Sequence, residues 1–260
     1  MKIKSPKEIT ESTLAIGNAK AALGMSRLIV QALQAGAFIA FGGVLSLIAG
    51  FGFPEFTQGN PSMQKILSGL VFPIGLILTV VLGAELFTGN NALLVPAFMK
   101  GHFGWKAVAR NWTVVYLANF VGAVAFAAIF VWAAGLTAPE PYHSAIIGMA
   151  QSKCSLPWGM CFVKGIGANW CVCLAVWLAL AGHNLVEKAL GCFLPVMAFV
   201  MLGYEHCVAN MFFIPLGMME GADVTAWQFV WANLIPATLG NIAGGALLVG
   251  CVNCYVHLRD

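Results

Sequence analysis

Six long stretches of the chain contain almost no charged residues, and this feature limits the possible folds most strongly. They cover roughly residues 28–50, 66–99, 107–134, 159–181, 189–218 and 228–256. A bilayer core of about 30 Å requires about 20 apolar residues per helix, so each stretch is long enough to cross a membrane. Charged residues make up only 9% of the chain, too few for the surface of a water-soluble globule. The sequence therefore predicts an all-α polytopic membrane protein with six transmembrane helices in a lipid bilayer.

Basic residues indicate on which side of the membrane each connection lies. Lysine and arginine are concentrated before the first stretch, after the second and fourth, and at the C-terminus. The opposite connections contain only Lys65 and Lys153. Because cytoplasmic connections carry an excess of basic residues, we expect a multi-pass protein of the cell's inner (plasma) membrane with both termini in the cytoplasm.

Residues 1–27 precede the first stretch and are predicted to form a cytoplasmic amphipathic helix. Ser5 to Glu8 matches a capping box, with a proline at the first helical position. Ile9, Leu14 and Ile16 give this helix a weakly apolar face, so we expect it to lie on the membrane surface.

An internal repeat divides the remaining chain into two copies, at about residues 28–134 and 159–256. The residues that recur at identical spacing are Asn111, Asn119 and Gly122 in the first copy and Asn233, Asn241 and Gly244 in the second. Three crossings per copy give the copies opposite orientations, as in an aquaporin-like protomer. Such inverted repeats hold a central site between broken helices, here the second and fifth. We therefore interpret residues 1–260 as a single channel domain.

Ionisable residues inside the predicted spans are candidates for function. A carboxylate near the bilayer centre costs at least ~2.5–3.5 kcal/mol unless it is paired. We expect Glu85 and Glu205 to accept hydrogen bonds from backbone N–H groups at the helix breaks, with a proton relay as the alternative. Lys153 is predicted to be a surface lysine. Lys164 either extends its side chain outward to the membrane interface, which we favour, or lines a vestibule.

His206 follows Glu205 and is predicted to face the conduction path. Its imidazole can donate a hydrogen bond to an anion or supply a proton near physiological pH. Thr88 precedes Gly89, and glycine tolerates left-handed backbone. Residues 86–91 are therefore predicted to form a tight loop with the Thr88 hydroxyl opposite His206.

Several motifs together resemble the formate/nitrite transporter family over nearly the whole chain. They are Gly83–Gly89, Asn169–Trp177, Glu205–Phe212 and Asn233–Pro236. The resemblance implies a homopentamer with one pore in each six-helix protomer. It also implies a passive, pH-dependent channel for small monovalent anions and protons, with formate expected first and nitrite or hydrosulfide close behind.

The resemblance further implies roles that spacing alone does not give. His206 matches the central pore histidine, Thr88 the threonine facing it, and Glu205 and Asn210 the residues that support it. Lys153, sixteen residues before Asn169 in the chain, matches a vestibule lysine that attracts anions, and Asn169 is also expected in the substrate pathway. The implied constriction residues are Leu86 and Phe199 for an outer ring and Phe72 and Leu76 for an inner ring.

Other functions have weaker support. No P-loop, Rossmann or zinc pattern occurs, so we expect no enzyme activity, cofactor or metal site, and the few basic residues argue against nucleic acid. An aquaporin-like neutral-solute channel is one alternative, although Asn60 and Pro61 are not followed by alanine. A membrane anchor subunit of a redox enzyme is another, but His206 alone among the histidines lies deep in a span.

Overall fold

A computed structural model describes residues 3–259, and every regular element in this range is a helix. The helices are α1 (Pro6–Ala22), α2 (Met25–Phe51), α3 (Pro54–Thr57), α4 (Pro61–Val71), α5 (Ile74–Val81), α6 (Phe87–Leu93), α7 (Val95–Met99), α8 (Trp105–Phe126), α9 (Tyr142–Cys154), α10 (Trp158–Ala181), α11 (Leu185–Met201), α12 (Cys207–Met219), α13 (Ala226–Gln228), α14 (Ile235–Ile242) and α15 (Val252–Leu258). The π-helical segments Ala127–Trp132, Phe229–Leu234 and Ala243–Cys251 extend or join α8, α13, α14 and α15. The all-α prediction is confirmed for this range.

Five helical stretches within residues 3–259 are long and apolar enough to cross a membrane. They are Met25–Phe51, Pro61–Val81, Trp105–Trp132, Trp158–Ala181 and Ala226–Leu258. The predicted fifth span is divided between α11, with 17 residues, and α12, with 13. Neither helix alone reaches the length of about 20 residues that a simple crossing needs.

The breaks after α5 and after α11 have the same backbone geometry. Each contains a glycine with positive φ, 71° at Gly83 and 66° at Gly203, followed by three non-helical residues of which the last, Leu86 or His206, is extended. The amides of Glu85 and Glu205 donate to carbonyl groups of α2 and α10 over 3.1 and 3.3 Å, respectively. These bonds replace some of the intrahelical ones that the breaks remove, as buried backbone requires.

Two fully buried asparagines bind the breaks in the same way. Asn119 Oδ1 accepts the Phe87 N–H group at 2.9 Å, and Asn241 Oδ1 accepts the Cys207 N–H group at 2.8 Å. Each asparagine also donates to the carbonyl of the glutamate in its break at 2.9 Å. The repeated asparagine spacing therefore corresponds to a repeated structural element.

The predicted tight loop at residues 86–91 is wrong. Helix α6 begins at Phe87 and includes Thr88 and Gly89, and the left-handed glycine of this region is Gly83. Asn119 accepts the first amide of α6, so the helix can begin directly after the break.

Close backbone contact joins α2 to α8 and α10 to α14. A Cβ atom at Gly36 would lie 2.1 Å from the Asn119 carbonyl oxygen, and one at Gly240 would lie 2.2 Å from that of Phe162. Small residues at such crossings allow helices in a membrane to approach closely. This packing brings α2, α8, α10 and α14 together around the two breaks.

The N-terminal helix α1 begins as predicted but docks differently. The capping box is confirmed, because the Ser5 and Glu8 side chains each accept the other residue's backbone N–H group. The buried face consists of Thr10, Thr13 and Gly17 and packs against α7 and α15. The expectation that α1 docks on the membrane surface is therefore corrected, because this face, together with Ile9 and Ile16, packs against the protein itself.

Candidate functional site

His206 contacts Thr88 where the two broken regions meet. His206 caps the N-terminus of α12, and its Nδ1 atom accepts the Ala209 N–H group at 3.1 Å. Its Nε2 atom lies 2.9 Å from Thr88 Oγ1, and both side chains are buried. Because Nδ1 is an acceptor, a neutral ring carries its proton on Nε2, which donates to Thr88. The contact expected from the sequence is thus present, although Thr88 belongs to a helix.

Asn169 supports Thr88 from behind. Its Nδ2 atom donates to the Thr88 carbonyl at 3.1 Å, to Asn91 Oδ1 at 3.2 Å and to the Asn241 carbonyl at 2.6 Å. Asn169 is fully buried and is absent from the walls of the two cavities described below. The structure therefore gives this predicted pathway residue a position that joins α6, α10 and α14.

Two cavities lie near the contact between His206 and Thr88, and His206 lines the larger one. The large cavity, of about 620 Å³, is lined among others by Lys65, Phe72, Lys153, Lys164, Phe199, Tyr204, Glu205, His206 and Asn210. The small cavity, of about 200 Å³, is lined among others by Ile16, Lys20, Leu76, Thr79, Leu86 and Gly89. Only a gap of about 10 Å³ lies between them, bordered by His206 and by Phe72, Leu76, Leu86, Phe199 and three further apolar residues. The site is thus an apolar constriction between two partly polar chambers.

The four predicted constriction residues all border this gap, but the two cavities group them differently from the expected rings. Phe72 and Phe199 line the large cavity, with ring centroids 5.6 Å apart, whereas Leu76 and Leu86 line the small one. Phe72 and Leu76 are one helical turn apart, a rise of about 6 Å, so they lie at different depths. Phe199 also stacks on the His206 ring at 5.8 Å.

Each buried glutamate forms an ion pair with a lysine. Lys153 Nζ lies 3.0 and 3.2 Å from the two Glu205 carboxylate oxygens, and Lys20 Nζ lies 2.6 Å from Glu85 Oε1. The carboxylates accept side-chain donors, so the expectation that backbone N–H groups bind them is corrected. The backbone N–H groups of the two glutamates are not available to the carboxylates, because they already donate to carbonyl groups of α2 and α10.

Asparagines complete both ion pairs in matching networks. Asn90 and Asn210 donate to Glu85 and Glu205 at 2.6 and 2.7 Å, respectively. The same amide groups also donate to the side chains of Asn111 and Asn233. Asn111 and Asn233 in turn donate to the backbone carbonyls of the paired lysines, Lys20 and Lys153.

Lys20 and Asn90 are site residues that the sequence does not single out, and Asn111 stands out only as a member of the repeat. Lys20 was assigned only to the N-terminal helix, and nothing local to residue 20 indicates that it approaches Glu85. The usable signal for a lysine partner lies in Glu85 and Glu205, because a buried carboxylate without a paired cation is strongly unfavourable. Within residues 3–259, no group of three or more His, Cys, Asp and Glu side chains is arranged to hold a metal ion.

Comparisons with known proteins agree with this geometry. A family model described as "Formate/nitrite transporter" matches residues 7–255. A "Probable formate transporter" of Methanothermobacter thermautotrophicus is 38% identical, with 99% of this chain and 98% of that protein covered. The "Formate channel FocA" of Escherichia coli strain K12 is 37% identical, with 88% of this chain and 86% of that protein covered.

Solved structures also resemble this chain along most of its length. An "FNT family ion channel" superposes with a TM-score of 0.88 at 28% identity, covering 97% of this chain and 99% of that one. A "Pentameric formate channel with formate bound" superposes with a TM-score of 0.78 at 31% identity, covering 90% of this chain and 98% of that one.

Proposed function

Because the chain belongs to the formate/nitrite transporter family, we propose that it is a passive, pH-dependent channel for small monovalent anions, with formate as the first substrate. Five long apolar helices and this membership make it a multi-pass membrane protein. The observation that carries the proposal is the contact between His206 and Thr88 at an apolar constriction between two cavities. Nitrite and hydrosulfide are the next candidates, because they are also small monovalent anions.

The constriction explains why a donor is needed at its centre. An anion that loses water between Phe72, Phe199, Leu76 and Leu86 meets apolar side chains, and an unpaired charge is costly there. The His206 Nε2–H group lies at the same point and can donate to the anion in place of water. When no anion is bound, Thr88 Oγ1 accepts this hydrogen bond and keeps the imidazole ring in place.

The pH dependence of the proposed flux has two sources, protonation of the substrate and the proton of His206. Formate is the conjugate base of a weak acid, and an apolar environment favours its neutral form. His206 supplies a proton or a hydrogen bond at the narrowest point, and the solute passes as the acid or as the anion. Formate flux should consequently increase as the pH falls.

The ion pairs and asparagines hold this site in place. Glu205, fixed by Lys153, Asn210 and Asn233, precedes His206 in the chain and sets the start of α12. Glu85, fixed by Lys20 in the same manner, sets the start of α6 and hence the position of Thr88. Asn169 links the two regions, because it donates to the backbone carbonyls of Thr88 and Asn241.

The membrane topology and the oligomeric state are also part of the proposed function. Six membrane crossings form two inverted three-helix repeats, supported by the matching bonds of Asn119 and Asn241. Both termini lie in the cytoplasm, supported by the distribution of basic residues. The protomers form a homopentamer, as the formate channel of similar structure does. The proposal assigns the chain a transport role and no enzyme activity.

Replacement of the histidine tests this proposal directly. His206→Phe removes the donor but retains a ring, and the loss of a hydrogen bond to a charged group, roughly 1.5–3 kcal/mol, should reduce formate flux about tenfold or more. Flux is measured by stopped-flow in proteoliposomes at neutral and acidic pH. His257→Phe, at the end of α15, is the matched control and should leave flux unchanged. Equal flux in wild type and His206→Phe, with assembly intact, would refute the assigned role.

A further inference from the structure

The large cavity contains lysines whose charges are balanced to different degrees. Lys153 is paired with Glu205, whose carboxylate contacts it through both oxygens. Lys164 and Lys65 line the same cavity. Within residues 3–259, neither of these two ammonium groups has a hydrogen bond or an ion pair. The excess positive charge of the cavity therefore comes from Lys164 and Lys65.

The small cavity has no such excess. Lys20 is the lysine in its wall, and Glu85 balances it at 2.6 Å. The position in α2 that corresponds to Lys164 is Gln31, because each of these residues accepts the glutamate N–H group of its break through the backbone carbonyl. The extra cation is thus specific to the large cavity.

Lys164 lies deeper in the protein than Lys65. Its side chain is partly buried, whereas Lys65 is exposed, and its backbone carbonyl accepts the Glu205 N–H group beside His206 at 3.3 Å. The Lys164 ammonium group has no counter-ion among the described residues, so its positive charge attracts a small anion that enters the cavity. Lys164 therefore has both the charge and the position to bind an anion before it reaches the constriction.

We propose that the Lys164 ammonium group is an anion-binding site of the large cavity, occupied by a small monovalent anion, formate in the first instance, on its way to His206. Lys65 extends the positive surface towards the rim, and Lys153, balanced by Glu205, acts mainly as a support. The identity of the anion depends on the function proposed above, whereas the existence of the site does not.

The electrostatic part of the proposal is tested without any transport measurement. Ser152 is exposed in the wall of the large cavity, so a Ser152→Cys reporter reacts there with small thiol reagents. Burial raises the pKa of Cys154 to about 11, which keeps this neighbouring thiol slow at neutral pH. The measured quantity is the ratio of the reaction rates with an anionic and a cationic methanethiosulfonate reagent at low salt.

In the reporter background, Lys164→Gln should lower this ratio about threefold or more, since one nearby positive charge is lost. Glutamine is the residue that α2 carries at the corresponding position, so the fold should tolerate it. Lys164→Arg should retain the ratio, and Lys106→Gln, an exposed site on α8, is the control for loss of charge elsewhere. An unchanged ratio in Lys164→Gln would overturn the site and favour a lysine that snorkels towards lipid headgroups.

Transport provides a second, separate readout. Lys164→Gln should raise the half-saturating formate concentration severalfold with a much smaller change in maximum flux, and Lys164→Arg should restore it. A fall in maximum flux alone would contradict a binding role. If the parent protein carries no formate while its reagent ratio still depends on Lys164, the proposed substrate fails and the anion site stands.

Discussion

At the scale of residues, buried amides fix the groups that act on a solute. Asn241 accepts the Cys207 N–H group and donates to two carbonyls, those of Gly165 and Glu205. Cys207 is the first residue of α12, directly after His206. The orientation of the imidazole therefore depends on a fully buried asparagine that lines neither cavity.

This dependence predicts a large loss of stability for Asn241→Leu. The substitution leaves a buried N–H group and two carbonyls without their partner, and each such group costs about 1–3 kcal/mol. The apparent unfolding temperature in detergent should fall by several degrees or more. Asn253→Leu is the matched control, because Asn253 is partly buried and donates one bond to the Val249 carbonyl in the adjoining π-helical segment. Similar melting of the two variants would contradict the account.

At the scale of elements, the ends of the simple spans could be predicted from the sequence. The ends of the expected stretches 28–50 and 159–181 differ by at most three residues from those of α2 and α10, because hydropathy is a property of the local sequence. The start of α6 could not be predicted in this way. It depends on Asn119, which is distant in sequence from Phe87, and on no signal inside residues 86–91.

In the candidate site, too, some contacts could be predicted from the nearby sequence and others could not. His206 and Thr88 could be predicted to meet, because both break regions carry recognisable polar residues. The ion pair of Lys20 and Glu85 could not, since it requires α1 to fold back over the first break. The pairing of Phe72 with Phe199 likewise depends on the relative depth of two helices that the sequence does not specify.

The docking of α1 gives a prediction at this scale. Lys20 and Glu85 are 14% and 5% exposed in their side chains, and loss of one partner from a buried pair costs roughly 3–5 kcal/mol. Lys20→Gln should therefore increase deuterium uptake along Pro6–Ala22. Lys7→Gln is the control, because Lys7 is exposed and lies 4.0 Å from Glu11. Equal protection of α1 in wild type and Lys20→Gln would show that the ion pair does not dock this helix.

At the scale of the whole molecule, two chambers of unequal volume and charge flank one apolar constriction. The large cavity carries three lysines against one glutamate in its wall, and the small cavity carries one lysine beside Glu85. This arrangement favours collection of anions on the side of the large cavity. The His206 donor lies beside the narrow gap that shares lining residues with both cavities.

The central claim, passage of a small monovalent anion through this constriction, is tested most directly by flux in proteoliposomes. Stopped-flow measurements compare formate, nitrite and hydrosulfide over a range of pH, with urea as the neutral solute and empty liposomes as the baseline. The account predicts rapid formate flux that increases as the pH falls and no comparable flux of urea. Rapid urea flux, with every anion at the level of empty liposomes, would contradict it.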